Sequence, residues 1–189
     1  MNLSPRRHRL IGRLGLFTAA IALSVSIVQA QQPNEFQVKA AYLYNFGRFT
    51  TWPAASLTSD AFSICILGRD PFGSVLDTAV NGERVAGKGV QVRRIENPQD
   101  AVSCQILFIS SSEEGRLKNI LAALGKSGVL TVSDISQFSR RGGMIGFILQ
   151  DNKIRFEVNL TPADDAGLQL SSDLLKVAVT VRRNPQPGD

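Results

Sequence analysis

Apolar positions along the chain switch between a helical and an extended period. Phe36, Ala40, Leu43, Tyr44 and Gly47 recur at helical spacing. Asn34 is placed to cap that helix, and Trp52-Pro53 requires it to stop. Phe62 to Leu67 is a continuous apolar run between turn residues, which predicts a buried strand. Gly68-Arg69-Asp70-Pro71 turns the chain into a helix over 72–80, with Asp70 as its cap and Pro71 at its first position. Asn81-Gly82 reads as a turn and 89–95 as a strand.

The second half repeats the alternation. Cys104 to Ile109 is another buried strand. Ser111 or Ser112 then caps a helix with Glu113 and Glu114 in its first turn and an apolar face of Leu117, Ile120, Leu121 and Leu124. Gly128 ends it, and 129–132 is a third short strand. Two more strands, 144–149 and 154–160, meet at Asp151-Asn152-Lys153, a hairpin signal. In the last of these Ile154, Phe156, Val158 and Leu160 face one way, and Arg155, Glu157 and Asn159 the other. Thr161 as cap and Pro162 at the first position open a final helical region, divided at Ser171-Ser172, with a last helix over 173–181. The pattern predicts an α/β fold: a mostly parallel central sheet with an antiparallel C-terminal hairpin, flanked by helices. One domain over 31–183 accounts for it, followed by a loose tail, 184–189.

The first thirty residues change the charge picture. Arg6, Arg7, Arg9 and Arg13 precede an apolar run from Leu14 to Val28, and Val28-Gln29-Ala30 offers small residues at a cleavage position. This is the layout of a secretory signal cut after about Ala30, which predicts a periplasmic protein with no membrane insertion after cleavage. The chain has 21 basic and 16 acidic residues, a net charge of +5. Cleavage leaves 17 basic against 16 acidic, so a basic surface for nucleic acid is not expected. The single histidine, His8, leaves with the signal, which removes imidazole catalysis and most zinc or copper chemistry. No cofactor is expected. Cys65 and Cys104 form an even pair that an oxidising compartment would join, closing a loop of about 40 residues worth roughly 4 kcal/mol. Two buried thiols on separate strands are the alternative.

Three segments should converge at the carboxyl ends of the strands, where such sheets bind ligands: Gly68-Arg69-Asp70, Ser110-Ser111-Ser112 and Ser133-Asp134. Arg69, Ser111 and Ser133 are the candidate pocket for a small nucleotide or amino-acid-like molecule, against a plainer reading as caps and turns. Gly142-Gly143 after Arg140-Arg141 is either a turn or a flexible loop presenting Met144, Ile145 and Phe147 to a partner. Glu157, between Arg155 and Asn159, is either part of a solvated row or a charged anchor. A Ser172–Lys176 pair at helical spacing is the one arrangement for nucleophilic catalysis.

In order, these segments resemble one family. The series is Lys39-Ala-Ala-Tyr-Leu-Tyr-Asn-Phe46, Trp52-Pro53, Ile64-Cys-Ile-Leu-Gly68, Asp70-Pro71-Phe72-Gly73 and Cys104-Gln-Ile-Leu-Phe-Ile-Ser110. Leu130-Thr-Val-Ser-Asp134, Gly142-Gly-Met144, Arg155-Phe-Glu-Val-Asn-Leu160, Ala166-Gly-Leu168 and Ser171-Ser172 with Leu174-Leu-Lys176 complete it. This is similar to the YfiR family of periplasmic proteins. The resemblance implies a regulator, not an enzyme. It would be a homodimer that restrains an inner-membrane diguanylate cyclase by binding its periplasmic region, and that an outer-membrane peptidoglycan-binding lipoprotein can sequester. Less cyclic di-GMP then means less biofilm. The resemblance matches Cys65 and Cys104 to one cysteine pair of the family; Ser139 and Gly146 stand where a second pair would be. It also places the partner contact on Ile145 and Glu157, to which the reading of an exposed apolar strand adds Phe147 as a second apolar contact.

Overall fold

A computed structural model describes residues 34–183, so the predicted signal and tail lie outside the described residues. The first helix, α1 (Glu35–Arg48), starts with a capping box: Asn34 Oδ1 accepts from Gln37 N and Gln37 Oε1 from Asn34 N. After β1 (Thr50–Thr51) and a 3-10 turn at Ala54–Leu57 comes β2 (Ala61–Leu67). Helix α2 (Ser74–Val80), the hairpin of β3 (Arg84–Val85) and β4 (Lys88–Ile95), and β5 (Ile106–Ile109) follow. Next are α3 (Leu117–Leu124), β6 (Leu130–Ser133), β7 (Ile145–Gln150) and β8 (Lys153–Asn159). The chain closes with α4 (Leu160–Asp165), β9 (Gln169–Leu170), α5 (Ser172–Val177) and β10 (Thr180–Arg182).

Eight strands form one sheet in the order β10-β8-β7-β6-β5-β2-β4-β3, and β1 pairs with β9 apart from it. Strands β4, β2, β5, β6 and β7 run parallel, β7–β8 is an antiparallel hairpin, and β10 lies parallel to β8. The two hairpin-turn residues Asp151 and Asn152 both have positive φ (50° and 57°), as a two-residue turn matched to strand twist requires.

Central strands covered on both faces read as unbroken apolar runs, and their alternation sorts the core. Ile64, Ile66, Ile106 and Phe108 point to a cluster with Leu43, Phe46 and Leu76 on the face of α1 and α2. Cys65, Leu67, Leu107 and Ile109 point to the opposite cluster, with Leu117, Ile120 and Leu124 of α3. The Cys65–Cys104 disulfide forms within that second layer, with Cα atoms 6.0 Å apart, and ties β2 to the segment entering β5.

Several boundaries differ from the sequence reading. Ser110, not Ser111 or Ser112, caps the segment after β5, which runs as a 3-10 helix (Ser111–Arg116) holding Glu113 and Glu114 before α3 begins at Leu117. Asp70 does not cap α2: its Oδ1 accepts from Phe72 N and Gly73 N and closes a turn, and the helix begins at Ser74. Asn159, not Thr161, caps α4. The last helix does not reach residue 181. It stops at Val177, and the β-branched stretch beyond it forms β10 because β8 offers a free edge in register.

Candidate functional site

Strand β8 sorts its side chains as its alternation requires. Phe156 and Val158 enter the core, with Ile154 and Leu160 packed against it. On the other face, Glu157 is half-buried and doubly held: its Oε2 accepts from Ser139 Oγ at 2.7 Å and from Arg182 Nη2 at 3.2 Å. Ser139 is fully buried and Arg182 comes from β10, so a buried hydroxyl and the outermost strand fix one carboxylate. Asn159 is not part of a solvated row. It is 1% exposed, its Nδ2 donates to Ser139 O at 2.9 Å, and only Arg155 of the three is exposed. The sheet ends at β10, where Val179 and Val181 are exposed; Val181 is in register with Val158, so it lies on the face opposite Glu157.

Met144, Ile145 and Phe147 are not presented to a partner. They are 4%, 0% and 5% exposed, because β7 lies inside the sheet and Phe147 stacks on Phe46 of α1 at 5.8 Å. Gly143 also packs tightly: a Cβ there would stand 2.1 Å from the Phe138 ring. The Gly-Gly segment is a close-packed entry to a core strand.

The strand-end crevice brings some of its expected residues together, but not as an anion pocket. Arg69 N donates to Ser112 Oγ at 3.0 Å, joining the ends of β2 and β5. A carboxylate of the chain already lies there, since a Cβ on Gly68 (φ +88°) would stand 2.5 Å from Glu113 Oε1. Arg116 neutralises that carboxylate. Ser111 is exposed, whereas Ser133 is fully buried, its hydroxyl donating to Ile109 O at 2.7 Å and accepting from Ile135 N at 3.0 Å. Arg69, Ser111 and Ser133 therefore do not share one surface. The Ser172–Lys176 pair is not joined either: Lys176 Nζ pairs with Asp173 Oδ1 at 3.0 Å in an exposed setting.

The sequence reading missed a buried charge. Lys39 sits on the apolar stripe of α1 and is 3% exposed. Its ammonium pairs with Glu35 and, at 2.7 Å, with Asp134 Oδ2, and it lies over the Phe36 and Phe147 rings. The signal was a lysine at a core position of the helix with Glu35 four residues before it. At the opposite end of the sheet, Arg94 grips Asp77 and Asp70 and fastens β4 to α2. The hydrogen bond from Arg94 holds the Asp77 carboxyl below its usual range. The hydrogen bond from Tyr44 to Glu83 raises the Tyr44 phenol.

Among the described residues no helix is long and apolar enough to cross a membrane. Fold and side-chain chemistry together define a disulfide-stapled α/β domain with ordered charge pairs on its surface. The sequence profile of the YfiR/HmsC-like family matches residues 36–179, and the chain belongs to that family. No curated relative matches it. Among solved structures it is similar to a conserved domain protein of Vibrio cholerae, with a TM-score of 0.55 at 8% identity. It is also similar to an ABC domain of Streptococcus pneumoniae solved in complex with L-Trp, with a TM-score of 0.53 at 10% identity. The alignments cover 78% and 76% of this chain and 60% of each of those chains. At such identities the likeness is one of fold.

Proposed function

We propose that this protein is an exported regulator that binds the periplasmic region of a membrane diguanylate cyclase and restrains it, lowering cyclic di-GMP and biofilm formation. Membership of the YfiR/HmsC-like family over residues 36–179 is the observation that carries this reading. A buried disulfide suits an oxidising compartment and agrees with the export signal read at residues 1–30. In this proposal Glu157 is the anchor. Ser139 and Arg182 hold its carboxylate in one orientation, and a fixed charge loses little freedom on binding. The apolar contact passes from Ile145 and Phe147, which are buried, to the exposed Val179 and Val181 at the β10 edge, which a partner would wrap to reach Glu157 on the other face. A homodimer and sequestration by an outer-membrane lipoprotein belong to the same proposal.

Deletion of the gene should raise cyclic di-GMP, and complementation should restore it. Glu157→Gln, which keeps the hydrogen bond from Ser139 but removes the charge, should be exported normally and fail to repress. Full repression by that variant would remove Glu157 from the interface.

A further inference from the structure

We propose that a cavity between the end of α1 and the β3–β4 hairpin binds a small organic carboxylate with an apolar body. The cavity measures about 330 Å³ and is lined by Arg48, Thr50, Trp52, Leu57, Arg84 and Val85, among others. That volume lies at the lower end of small-molecule sites.

Independent observations point to a ligand of this chemistry. Neither Arg48 nor Arg84 has a carboxylate partner within 4.0 Å among the described residues. Arg48 lies over the Tyr44 ring, and Arg84 donates to the Gly87 carbonyl, which fixes its side chain across the hairpin. Thr50 is 8% exposed, and its Oγ1 is buried with no hydrogen-bond partner. A buried hydroxyl without a partner is unfavourable, and one that lines a cavity is satisfied by a ligand's polar end.

The remaining walls are mostly apolar, and Trp52 is held in place. Trp52 is 6% exposed, donates from Nε1 to Gln105 O at 3.2 Å and meets Phe62 edge to face at 5.1 Å. Its ring is therefore fixed, as a preformed site needs. The C-terminal end of α1 brings negative carbonyl dipoles to this side, so affinity for an anion rests on the two guanidiniums. Two cationic forks, one hydroxyl and an aromatic-aliphatic wall match a carboxylate on a compact apolar body. The cavity's residues do not include Glu157, and the inference does not depend on the regulator reading.

Trp52 is the only tryptophan of the chain, so its fluorescence reports on this wall directly. Titration with phenylacetate and with hexanoate should give a saturable change in Trp52 emission for at least one of them. Phenethylamine, with the charge inverted, should give none. The double variant Arg48→Gln/Arg84→Gln should weaken the response about tenfold or more, as loss of two charge-assisted contacts implies. Thr50→Val should weaken it about threefold without lowering the melting temperature, because the hydroxyl has no partner to lose in the free protein. No saturable response to either carboxylate, or an undiminished response in the double variant, would overturn the proposal. Equal binding of inorganic phosphate would overturn the requirement for an apolar body.

Discussion

Arg182 donates to Glu157 across the boundary between the last two strands of the sheet. The strand proposed to contact the partner is thus braced by a strand that the sequence pattern reads as helix. Arg182 Nε is buried without a hydrogen-bond partner, so its guanidinium is positioned by Glu157 alone among the described residues. Removing the charge at either residue leaves the other half-buried and unpaired. Glu157→Lys would set two cations together and confuse a binding defect with instability. Glu157→Gln should lower stability by no more than about 1 kcal/mol, as for a partly exposed pair, measured by urea unfolding. A loss of several kcal/mol would make Glu157 a structural residue first.

The disulfide should act as a staple. Cys65 and Cys104 are 0% and 2% exposed, so a thiol must wait for the domain to open before it can attack. Trapping of free thiols in mild reductant should follow the unfolding rate. Replacing both cysteines by alanine should cost about 4 kcal/mol on the chain-entropy model. Rapid reduction of the folded protein, with native stability retained, would instead mark a switch.

Lys39→Met should be costly although it swaps a charge for an apolar chain of similar length. It would leave Asp134 next to the core without its cation, and Asp134 Oδ1 is already buried and unpartnered. A loss of about 2–3 kcal/mol is expected, reduced from the fully buried case because Asp134 retains some exposure. Adding Asp134→Asn should recover much of it. Additive losses in that double-mutant cycle would mean that the pair is not coupled.

Stability should fall at acid pH partly through Asp77. Its carboxyl is held below the usual range by Arg94, so its contribution is present above the unfolded value of about 3.9 and is lost as pH falls through the lower folded value. Asp77→Asn should flatten the acid limb of the stability curve. Since both groups are well exposed, the effect should also shrink in high salt. An unchanged acid limb would show that the pair forms no net interaction.

How far the sequence reaches is clear from particular residues. Ile64 to Leu67 and Ile106 to Ile109 are legible because a strand buried on both faces leaves an unbroken apolar run. The end of the chain is not, because Leu174 and Leu175 continue a helical pattern while the strand character of Val179 to Val181 depends on a distant partner, β8. Ile145 and Phe147 alternate as an amphipathic strand would, but nothing local says that α1 covers them. Ser133 is a polar residue at a strand end, as a binding residue would be, yet its hydroxyl is used up by Ile109 and Ile135. Each of these errors comes from a tertiary contact that local spacing does not encode.

The central claim is that this domain binds a membrane cyclase through the surface around Glu157. The most direct measurement is capture of detergent-solubilised host membrane proteins on the tagged, exported protein, with Glu157→Gln alongside. Identification of a diguanylate cyclase on the wild-type protein, and at least tenfold less on the variant, is the expected result. Recovery of no cyclase would contradict the regulator reading. Equal recovery on both proteins would keep the regulator and move its interface away from Glu157.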